Sequence, residues 1–330
     1  MVNPSSGPVK IDIILPAYNA EETLTRAVES VIHQDLLGQL IIVDDCSADT
    51  TRHVIETLAA THAKVTPVLL DENVGPAEAR NLGLQKSTAA WVTLLDSDDW
   101  MDPTRLETML RHAENFGADI VADDIYMHRE TEPAVCIWSK EAFEPFFIDA
   151  PFFAQMNIAQ YAGSTREFGY MKPLFRSEVL KRFDAPWRRS LRIMEDYDLY
   201  LRCLVAGDRF LFTPRAGYHY DRGNASRAFR PQNLRTIVDI DREIAAASHD
   251  PRTRQWVGKH ADDFEALLLW VSIFGDKQLA AVPHAVWRSM MRPRIGAILG
   301  RRLWRRLRGM SPDQVFSRNI PTNSPAHRTQ

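Results

Sequence analysis

Three aspartates follow one apolar run of this chain. Residues 91–95 are Trp-Val-Thr-Leu-Leu, a pattern typical of a buried strand, and Asp96, Asp98 and Asp99 come directly after it. Carboxylates this close repel one another and gain nothing from burial alone, whereas a hard cation bound by oxygen ligands would relieve the repulsion. In an extended segment, Asp96 and Asp98 also share a face because they lie two positions apart. The cluster indicates a metal site, and a metal at the end of a strand favours a phosphate-bearing substrate.

A helix start explains part of the same cluster. An aspartate before Pro103 could cap the helix that this proline opens, and Asp102 could do so equally well. This alternative accounts for one acid and leaves the other two unexplained.

Polar residues also follow an earlier apolar run. Residues 11–15 are apolar apart from one aspartate, and Pro16, Tyr18 and Asn19 come after them. Asn19 also stands three residues before Glu22, which is the spacing of a helix-capping box. These residues are expected at the end of a first strand, at the start of a helix.

A second apolar run, residues 40–43, is followed by Asp44 and Asp45. A carboxylate at this position could accept a hydrogen bond from a nucleobase N–H. A solvated turn closed by Ser47 and Asp49 explains the same residues.

Two later motifs place charged groups at helix starts. Gly75 and Pro76 predict a tight turn before a helix, and Arg80 lies one turn in, where its planar guanidinium suits a phosphate. Glu195 and Asp196 open another helix, whose positive end would help to keep a general base ionised. The alternatives are a solvated arginine and an ordinary acidic helix cap.

Strand and helix patterns alternate over the first 122 residues. This alternation predicts an α/β fold with a mostly parallel, Rossmann-like sheet flanked by helices, and a helical extension follows from about residue 231. Ligands bind such sheets at the carboxyl ends of the strands, which is where the polar clusters fall. The predicted strands are residues 11–15, 40–43, 65–70, 91–95 and 119–122.

The order and spacing of these motifs resemble those of family 2 glycosyltransferases with the GT-A fold, in particular bacterial enzymes of exopolysaccharide and surface-polysaccharide synthesis. The resemblance covers roughly residues 9–226. It implies inverting transfer of a sugar from a nucleotide sugar to an acceptor, usually with a divalent metal. The matching motifs are residues 15–19, 43–49, 73–81, 95–99 and 195–196.

The resemblance implies roles on the donor side. Asp98 would bind the metal, Mg²⁺ or Mn²⁺, and Asp96 would contact the ribose or act as a second ligand, while Asp99 could exchange roles with either. Asp45 would read uracil, which makes a UDP-sugar the expected donor. The other expected nucleotide-sugar residues are Pro16, Tyr18, Asn19, Gly75 and Arg80.

The resemblance also implies roles on the acceptor side. Asp196 would be the catalytic base, supported by Glu195, and Arg222 would hold the leaving diphosphate. His219 could be a third metal ligand, or a packed or solvated histidine.

Two other functions remain open. A sugar-phosphate nucleotidyltransferase would carry a Gly-rich basic loop after its first strand, where residues 16–19 here are Pro-Ala-Tyr-Asn. A catalytically silent nucleotide-binding or scaffold protein would not need both the metal acids and Glu195-Asp196.

The chain contains neither a GxGxxG motif after its first strand nor a P-loop motif, so nicotinamide and P-loop nucleotide binding are not expected. It also lacks basic residues interleaved with aromatics in a sheet, so nucleic acid is not an expected partner.

Residues 10–228 are predicted to form the catalytic domain. Its nucleotide-sugar half would be 10–122 and its acceptor half 123–228. The other predicted parts are an N-terminal tail at 1–9, a helical C-terminal extension at 229–312 and a disordered tail at 313–330.

Charge is unevenly distributed along the chain. The net charge is −3, but residues 277–308 contain nine basic residues and no acid, which leaves −12 on the remainder. Between 295 and 308, arginines lie on a different helical face from the apolar positions Ile295, Leu299, Leu303 and Leu307. This amphipathic pattern suits an anionic membrane surface, particularly if the acceptor saccharide is lipid-linked, or a helix packed on the catalytic domain.

Cysteine usage and hydropathy indicate a compartment. Cys46, Cys136 and Cys203 are far apart in the sequence, which fits a reducing cytosol. The N-terminus shows no signal-peptide pattern, and residues 266–274 are too short an apolar stretch to span a bilayer. The expected location is cytoplasmic, with peripheral association at the cytoplasmic face of the inner membrane.

Overall fold

A computed structural model describes residues 9–129, 132–136, 144–158, 168–221, 231–274 and 294–300. The strands in this part are β1 (Ile11–Ala17), β2 (Leu37–Asp44), β3 (Val65–Leu69), β4 (Trp91–Leu94), β5 (Trp100–Met101), β6 (Ile120–Arg129), β7 (Glu132–Cys136), β8 (Phe146–Ile148), β9 (Leu174–Arg176) and β10 (Phe210–Asp221). The helices are α1 (Leu24–Ile32), α2 (Thr51–Thr61), α3 (Pro76–Lys86), α4 (Arg105–Phe116), α5 (Ala150–Ile158), α6 (Ser177–Lys181), α7 (Glu195–Val205), α8 (Pro231–Ala247) and α9 (Pro251–Phe274), and residues 294–300 are also helical.

The strands form one sheet in the order β3-β2-β1-β4-β9-β6-β10-β5, with β7 beside β6 and β8 beside β10. Strands β3, β2, β1 and β4 are mutually parallel, and so are β6 and β10. Strand β9 runs antiparallel to both of its neighbours, β4 and β6. The expected α/β fold with a central sheet flanked by helices is confirmed, and its antiparallel strands lie beyond β4.

Burial on both faces explains why the first strands are almost continuously apolar. Ile13 and Ile14 of β1 point to opposite faces, and both are fully buried. Helix α3 approaches β1 so closely that a Cβ at Gly83 would lie 2.5 Å from Ile14 Cγ2. This close approach packs the second half of α3 directly against β1 and β2.

The predicted capping box at Asn19 is wrong. Helix α1 begins at Leu24 and its N-cap Thr23 makes no side-chain cap bond. Instead, Asn19 adopts φ 49° and its Oδ1 accepts a 2.8 Å hydrogen bond from the Ala48 N–H, while its own N–H donates to Ser47 Oγ at 3.0 Å. Asn19 therefore joins the loops that follow β1 and β2, because those strands end side by side.

The chain divides into two compact units. Unit 1 comprises Met1–Ala150 and Gly169–Ala228, and unit 2 comprises Pro151–Phe168 and Phe229–Gln330. Of the described residues, Pro151–Ile158 and Phe168 thus group with the C-terminal helices, and the catalytic-domain bounds 10–228 stay a prediction. All of the site residues discussed below belong to unit 1.

In unit 2, the start of the basic segment packs against protein. Ile295 and Ile298 are buried in a cluster with Ala266 and Leu269 of α9. The guanidinium of Arg294 contacts Asp263 at 3.0 Å. Two apolar positions of the predicted amphipathic segment 295–308, Ile295 and the half-buried Leu299, therefore pack within the protein, while 301–308 lie outside the described residues.

No helix in the described ranges combines the length and the apolar character that crossing a bilayer requires.

Candidate active site

The turn after β4 is fastened to β10 through Asp99. This aspartate is fully buried, and its carboxylate accepts hydrogen bonds from Tyr218 Oη at 2.6 Å and from the Asp221 N–H at 2.8 Å. Tyr218 Oη in turn accepts a bond from the Asp96 N–H at 3.1 Å. Burial, with repulsion from Asp96 and Asp98, raises the pKa of Asp99 well above its ordinary value. Asp99 shapes the turn, and its carboxylate is occupied by these contacts.

Asp98 is the exposed acid of the cluster. Its backbone carbonyl accepts a hydrogen bond from Arg26 Nη2 at 2.6 Å, and the same nitrogen lies 3.1 Å from Asp221 Oδ2. Arg26 also lies over the Trp100 ring, 4.1 Å from its centroid. Partial desolvation and the nearby Asp96 charge raise the pKa of the Asp98 carboxyl. The turn therefore holds its backbone fixed and presents one carboxylate to solvent.

Asp96 faces two cations. Its Oδ1 accepts a hydrogen bond from Arg80 Nη2 at 3.0 Å, and its Oδ2 lies 3.1 Å from Lys172 Nζ. Burial opposes ionisation, but Lys172 and Arg80 outweigh it and hold the pKa of Asp96 well below its usual range. Asp96 is therefore an anion under all ordinary conditions.

The same two cations reach the acids at the start of α7. Arg80 Nη1 contacts Glu195 Oε1 at 2.5 Å and Asp196 Oδ1 at 3.5 Å, and Lys172 Nζ donates to Asp196 Oδ2 at 2.9 Å. Arg80 and Lys172 are each only 4% exposed. The structure thus joins Asp96 and Asp196 through two buried cations, although they lie far apart in sequence.

Asp45 organises the loop before α3. Its Oδ1 accepts a hydrogen bond from the Val74 N–H at 2.7 Å, and its Oδ2 accepts bonds from the Gly75 N–H at 2.9 Å and Asn73 Nδ2 at 3.0 Å. Burial is the main reason that the pKa of Asp45 is raised. These bonds hold the loop that the resemblance assigns to nucleotide binding.

Two features of the structure require glycine at position 75, its backbone conformation and the nearby side chain of Arg192. It adopts φ 86°, a conformation that L side chains rarely adopt, and a Cβ there would lie 1.9 Å from Arg192 Nη1. Arg192 is itself exposed, beside the Asp45 loop. The segment before α7 therefore lies directly against the loop before α3.

The remaining expected donor residues lie at the end of β1. Pro16 is within the strand, and Tyr18 just after it is 52% exposed. The Asp45 N–H donates to the Ala17 carbonyl at 2.8 Å, so the ends of β1 and β2 are adjacent. Arg222 lies outside the described residues.

His219 has both ring nitrogens engaged. Its Nδ1 lies 2.9 Å from His128 Nε2, and its Nε2 lies 2.9 Å from Asp102 Oδ1. The ring stacks between Trp100 and Tyr126, with centroid distances of 5.0 and 4.9 Å. This environment is that of a packed histidine, and Asp102 serves it rather than capping α4, whose N-cap is Thr104.

The described residues contain no group of three or more His, Cys, Asp or Glu side chains arranged to hold a metal. The acids of the turn nevertheless fit a hard cation by chemistry, because Asp98 offers exposed carboxylate oxygens whose ionisation is disfavoured without a counter-charge. The protein would supply few ligands, so a bound ion would need oxygens from a ligand such as a diphosphate.

A family model described as Glycosyl transferase family 2 matches residues 12–178, which is half of the chain and includes the Asp45 loop, Arg80, Asp96 and Lys172. The chain belongs to glycosyl transferase family 2. The resemblance of its motifs is thereby confirmed at the level of the family.

Known proteins similar to this family 2 chain extend the match. Succinoglycan biosynthesis protein ExoO of Rhizobium meliloti is 32% identical over 235 residues, and the match covers 70% of this chain and 66% of ExoO. The structure of S. aureus TarS 1–349 in complex with UDP-GlcNAc is similar with a TM-score of 0.67 at 17% identity, over 93% of this chain and 90% of that one. Mannosyltransferase PcManGT from Pyrobaculum calidifontis, in complex with GDP-Man and Mn²⁺, gives 0.56 at 17% identity, over 94% and 83%. At these identities the two structures support the fold alone.

Sequence reasoning missed three residues of this family 2 site. Lys172 pairs with both acids, Trp187 Nε1 donates to Asp196 Oδ1 at 3.1 Å, and Tyr218 fastens the aspartate turn. Lys172 carried a usable signal, because it is a single cation within the otherwise uncharged residues 168–175. A charge in such a segment is buried only if it is paired.

Proposed function

We propose that this chain is an inverting glycosyltransferase that transfers a sugar from a UDP-sugar to a saccharide acceptor carried on a lipid, in the assembly of a bacterial exopolysaccharide. Family membership supports the reaction class. The similarity to ExoO, a succinoglycan biosynthesis protein, supports the exopolysaccharide setting.

The observation that carries the proposal is the joining of Asp96 to Asp196 through Arg80 and Lys172. A transfer reaction needs a donor site and a base for the acceptor close together, and the two acids come from the turn after β4 and from the start of α7. A purely structural ion network would not require its acids to lie at the carboxyl edge of a parallel sheet, where ligands bind.

In the proposed reaction, Asp196 acts as the general base for the acceptor hydroxyl. Its carboxylate takes the proton of the acceptor hydroxyl as that oxygen forms a bond to the anomeric carbon. The bond between the anomeric carbon and the diphosphate oxygen breaks on the opposite face, and its electron pair leaves with the diphosphate. Attack opposite to the leaving group inverts the configuration. Arg80 and Lys172 hold the acids of this site in place, and they keep Asp96 ionised.

A divalent ion, Mg²⁺ or Mn²⁺, would be held by Asp98, with Asp96 nearby, and when bound would neutralise charge on the departing diphosphate. PcManGT was solved with Mn²⁺ and a GDP-sugar, and TarS with a UDP-sugar. We propose UDP for this chain because Asp45 and its loop match the motif that reads uracil in the resemblance.

A donor screen tests the proposal. We expect UDP-sugars to raise the melting temperature in the presence of Mn²⁺ or Mg²⁺, and at least one of them to be hydrolysed slowly or transferred to a lipid-linked saccharide with inversion, measured by NMR. Stabilisation by GDP-sugars alone would exclude UDP as the donor. The absence of turnover with every nucleotide sugar would count against transferase activity and favour a silent nucleotide-binding protein.

The nucleotidyltransferase alternative receives no support, since the chain belongs to glycosyl transferase family 2.

We also propose that the enzyme works at the cytoplasmic face of the membrane, where the arginines of residues 301–308 would contact anionic lipid. The high density of arginine in that segment supports this location.

A further inference from the structure

Lys172 is a buried cation for which neither the motifs nor the family match provides a role. Its side chain is 5% exposed, and its ammonium contacts Asp196 Oδ2 at 2.9 Å and Asp96 Oδ2 at 3.1 Å. Burial lowers the pKa of a lysine, but these two carboxylates outweigh it and raise the pKa of Lys172 above its ordinary value. Lys172 therefore remains a cation between the two acids.

The backbone on both sides of this lysine is fixed by other buried groups. The Lys172 carbonyl accepts a hydrogen bond from Arg105 Nη2 at 2.6 Å, and Arg105 is itself paired with Asp123 at 2.7 Å. The preceding carbonyl, that of Met171, accepts a bond from Tyr200 Oη at 2.7 Å. Since Tyr200 lies in α7, the helix that begins with Glu195 and Asp196, the position of the ammonium relative to that helix is set by the fold.

Asp196 is held from two directions. Trp187 Nε1 donates to Oδ1 at 3.1 Å, and Lys172 donates to Oδ2 at 2.9 Å. Two donors on different oxygens fix the plane of the carboxylate, which free rotation about the side chain would otherwise leave undefined. A general base needs a fixed orientation, because a lone pair of its carboxylate must point at the proton of the acceptor hydroxyl.

We propose that Lys172 is a positioning residue that fixes the orientation of the base Asp196 and its separation from Asp96 in the donor site. This inference rests on the proposed function. Lys172 acts through the two carboxylates and touches neither the donor nor the acceptor. The expected consequence of its loss is slower transfer with nucleotide binding retained, because a small displacement of a catalytic group costs about 100-fold in rate.

The test compares Lys172→Met, which keeps the length of the side chain without its charge, with Lys181→Met, an exposed lysine of the same unit. UDP binding is titrated calorimetrically with Mn²⁺, giving affinity and the fraction of competent protein, and turnover is measured with the best donor found in the screen. For Lys172→Met we expect unchanged stoichiometry, a UDP affinity within about fivefold and a kcat lowered about 100-fold. Lys181→Met should match the wild type, and Lys172→Arg should recover part of the lost kcat.

Two results would overturn the inference. One is a kcat for Lys172→Met within threefold of the wild type, and the other is a loss of kcat matched by an equal loss of UDP-binding sites, which would indicate misfolding alone. If Lys172→Met is too unstable to purify, Lys172→Gln is judged by the same criteria. Wild-type protein that transfers no sugar would overturn the proposed function and this inference together, whereas an active wild type with an equally active Lys172→Met would overturn the inference alone.

Discussion

The three aspartates after β4 differ in what surrounds them. Asp96 is paired with two cations, Asp99 is buried and bonded to Tyr218, and Asp98 is exposed. Three carboxylates in one turn repel one another, and the protein lowers this repulsion in two ways. The cations beside Asp96 neutralise its charge, and burial of Asp99 raises the pKa of that carboxyl. Only Asp98 keeps a carboxylate accessible to an added cation.

Asp98→Ala should therefore abolish the metal-dependent part of nucleotide binding. We expect the affinity for UDP in Mn²⁺ to fall to the value measured in EDTA, because in the proposed metal site the exposed Asp98 carboxylate is the ligand that the protein contributes. Isothermal titration calorimetry measures both values. Asp35→Ala, an exposed acid outside the site, is the control, and unchanged UDP affinity of Asp98→Ala in Mn²⁺ would contradict a ligand role.

Asp196→Asn should separate binding from transfer. An amide of the same shape cannot take the acceptor proton, so we expect turnover to fall by about 10²- to 10⁴-fold while UDP binding is retained. Steady-state assays and calorimetry give the two quantities. Asp184→Asn, an exposed acid before the same helix, should behave as the wild type, and near-normal turnover of Asp196→Asn would exclude Asp196 as the base.

At this scale, sequence reasoning identified most of the acids and one of their two cationic partners. Asp96, Arg80 and Asp196 were named from motifs, and the structure brings them together. Lys172 was not named, because its role depends on contacts with β4 and α7 that local sequence does not encode. The hydrogen bonds that the loop before α3 donates to the Asp45 carboxylate were also not foreseen, since backbone donors have no sequence signature.

At the scale of elements, the site depends on how α3 lies on the sheet. This helix carries Arg80, and Gly83 allows its backbone to approach β1. A side chain at Gly83 would push the helix, and Arg80 with it, away from β1 and β2. The glycine therefore contributes to the geometry of the ion network from outside it.

Gly83→Ala should lower the free energy of unfolding. The added Cβ would lie 2.5 Å from Ile14 Cγ2 and 3.2 Å from Val43 Cγ2, and overpacking of this kind costs about 1–3 kcal/mol. Gly258→Ala is the matched control within α9, where the nearest atom lies 4.0 Å away and we expect a gain of about 0.5–1 kcal/mol from helix propensity. Urea denaturation followed by circular dichroism measures both. Equal effects of the two substitutions would show that α3 is not closely packed on β1.

The regular elements were predictable and the irregular ones were not. The turn predicted at Gly75 and Pro76 is followed by α3, which begins at Pro76, and the first four predicted strands agree with β1 to β4 within a few residues. Strand β9 was missed, because three residues carry no period that distinguishes a strand. Its antiparallel pairing with β4 and β6 is decided by tertiary contacts.

At the scale of the whole molecule, basic residues are concentrated towards the C-terminal end of the sequence. Residues 277–308 are strongly basic, and the first residues of the proposed membrane segment, Ile295 and Ile298, are buried in unit 2. Removing the whole segment would expose the α9 residues that pack on them. Changing the arginines alone is therefore the cleaner way to test membrane contact.

Replacement of Arg301, Arg302, Arg305 and Arg306 by glutamine should weaken binding to anionic vesicles at least about 100-fold, since each arginine near such a surface contributes about 1 kcal/mol. Cosedimentation with phosphatidylglycerol vesicles measures this, with phosphatidylcholine vesicles as the uncharged comparison. The double variant Arg252→Gln, Arg254→Gln, at exposed positions of α9, shows the effect of removing arginine charge elsewhere in the chain, compared per arginine replaced. Vesicle binding that does not change would leave 301–308 without a membrane role.

The position of β9 between β4 and β6 has a consequence for biosynthesis. The ribosome delivers β1 to β4 and α1 to α3 first, and this portion already carries Asp45, Arg80 and Asp96. Its β4 edge stays open until β9 emerges, and an open edge is a site for pairing with other chains. Lys172 arrives just ahead of the strand that closes this edge, and Asp196 follows it. The nascent protein thus acquires Asp45, Arg80 and Asp96 first, and closing the sheet and completing the ion network of Asp96, Arg80, Lys172 and Asp196 are nearly the same event.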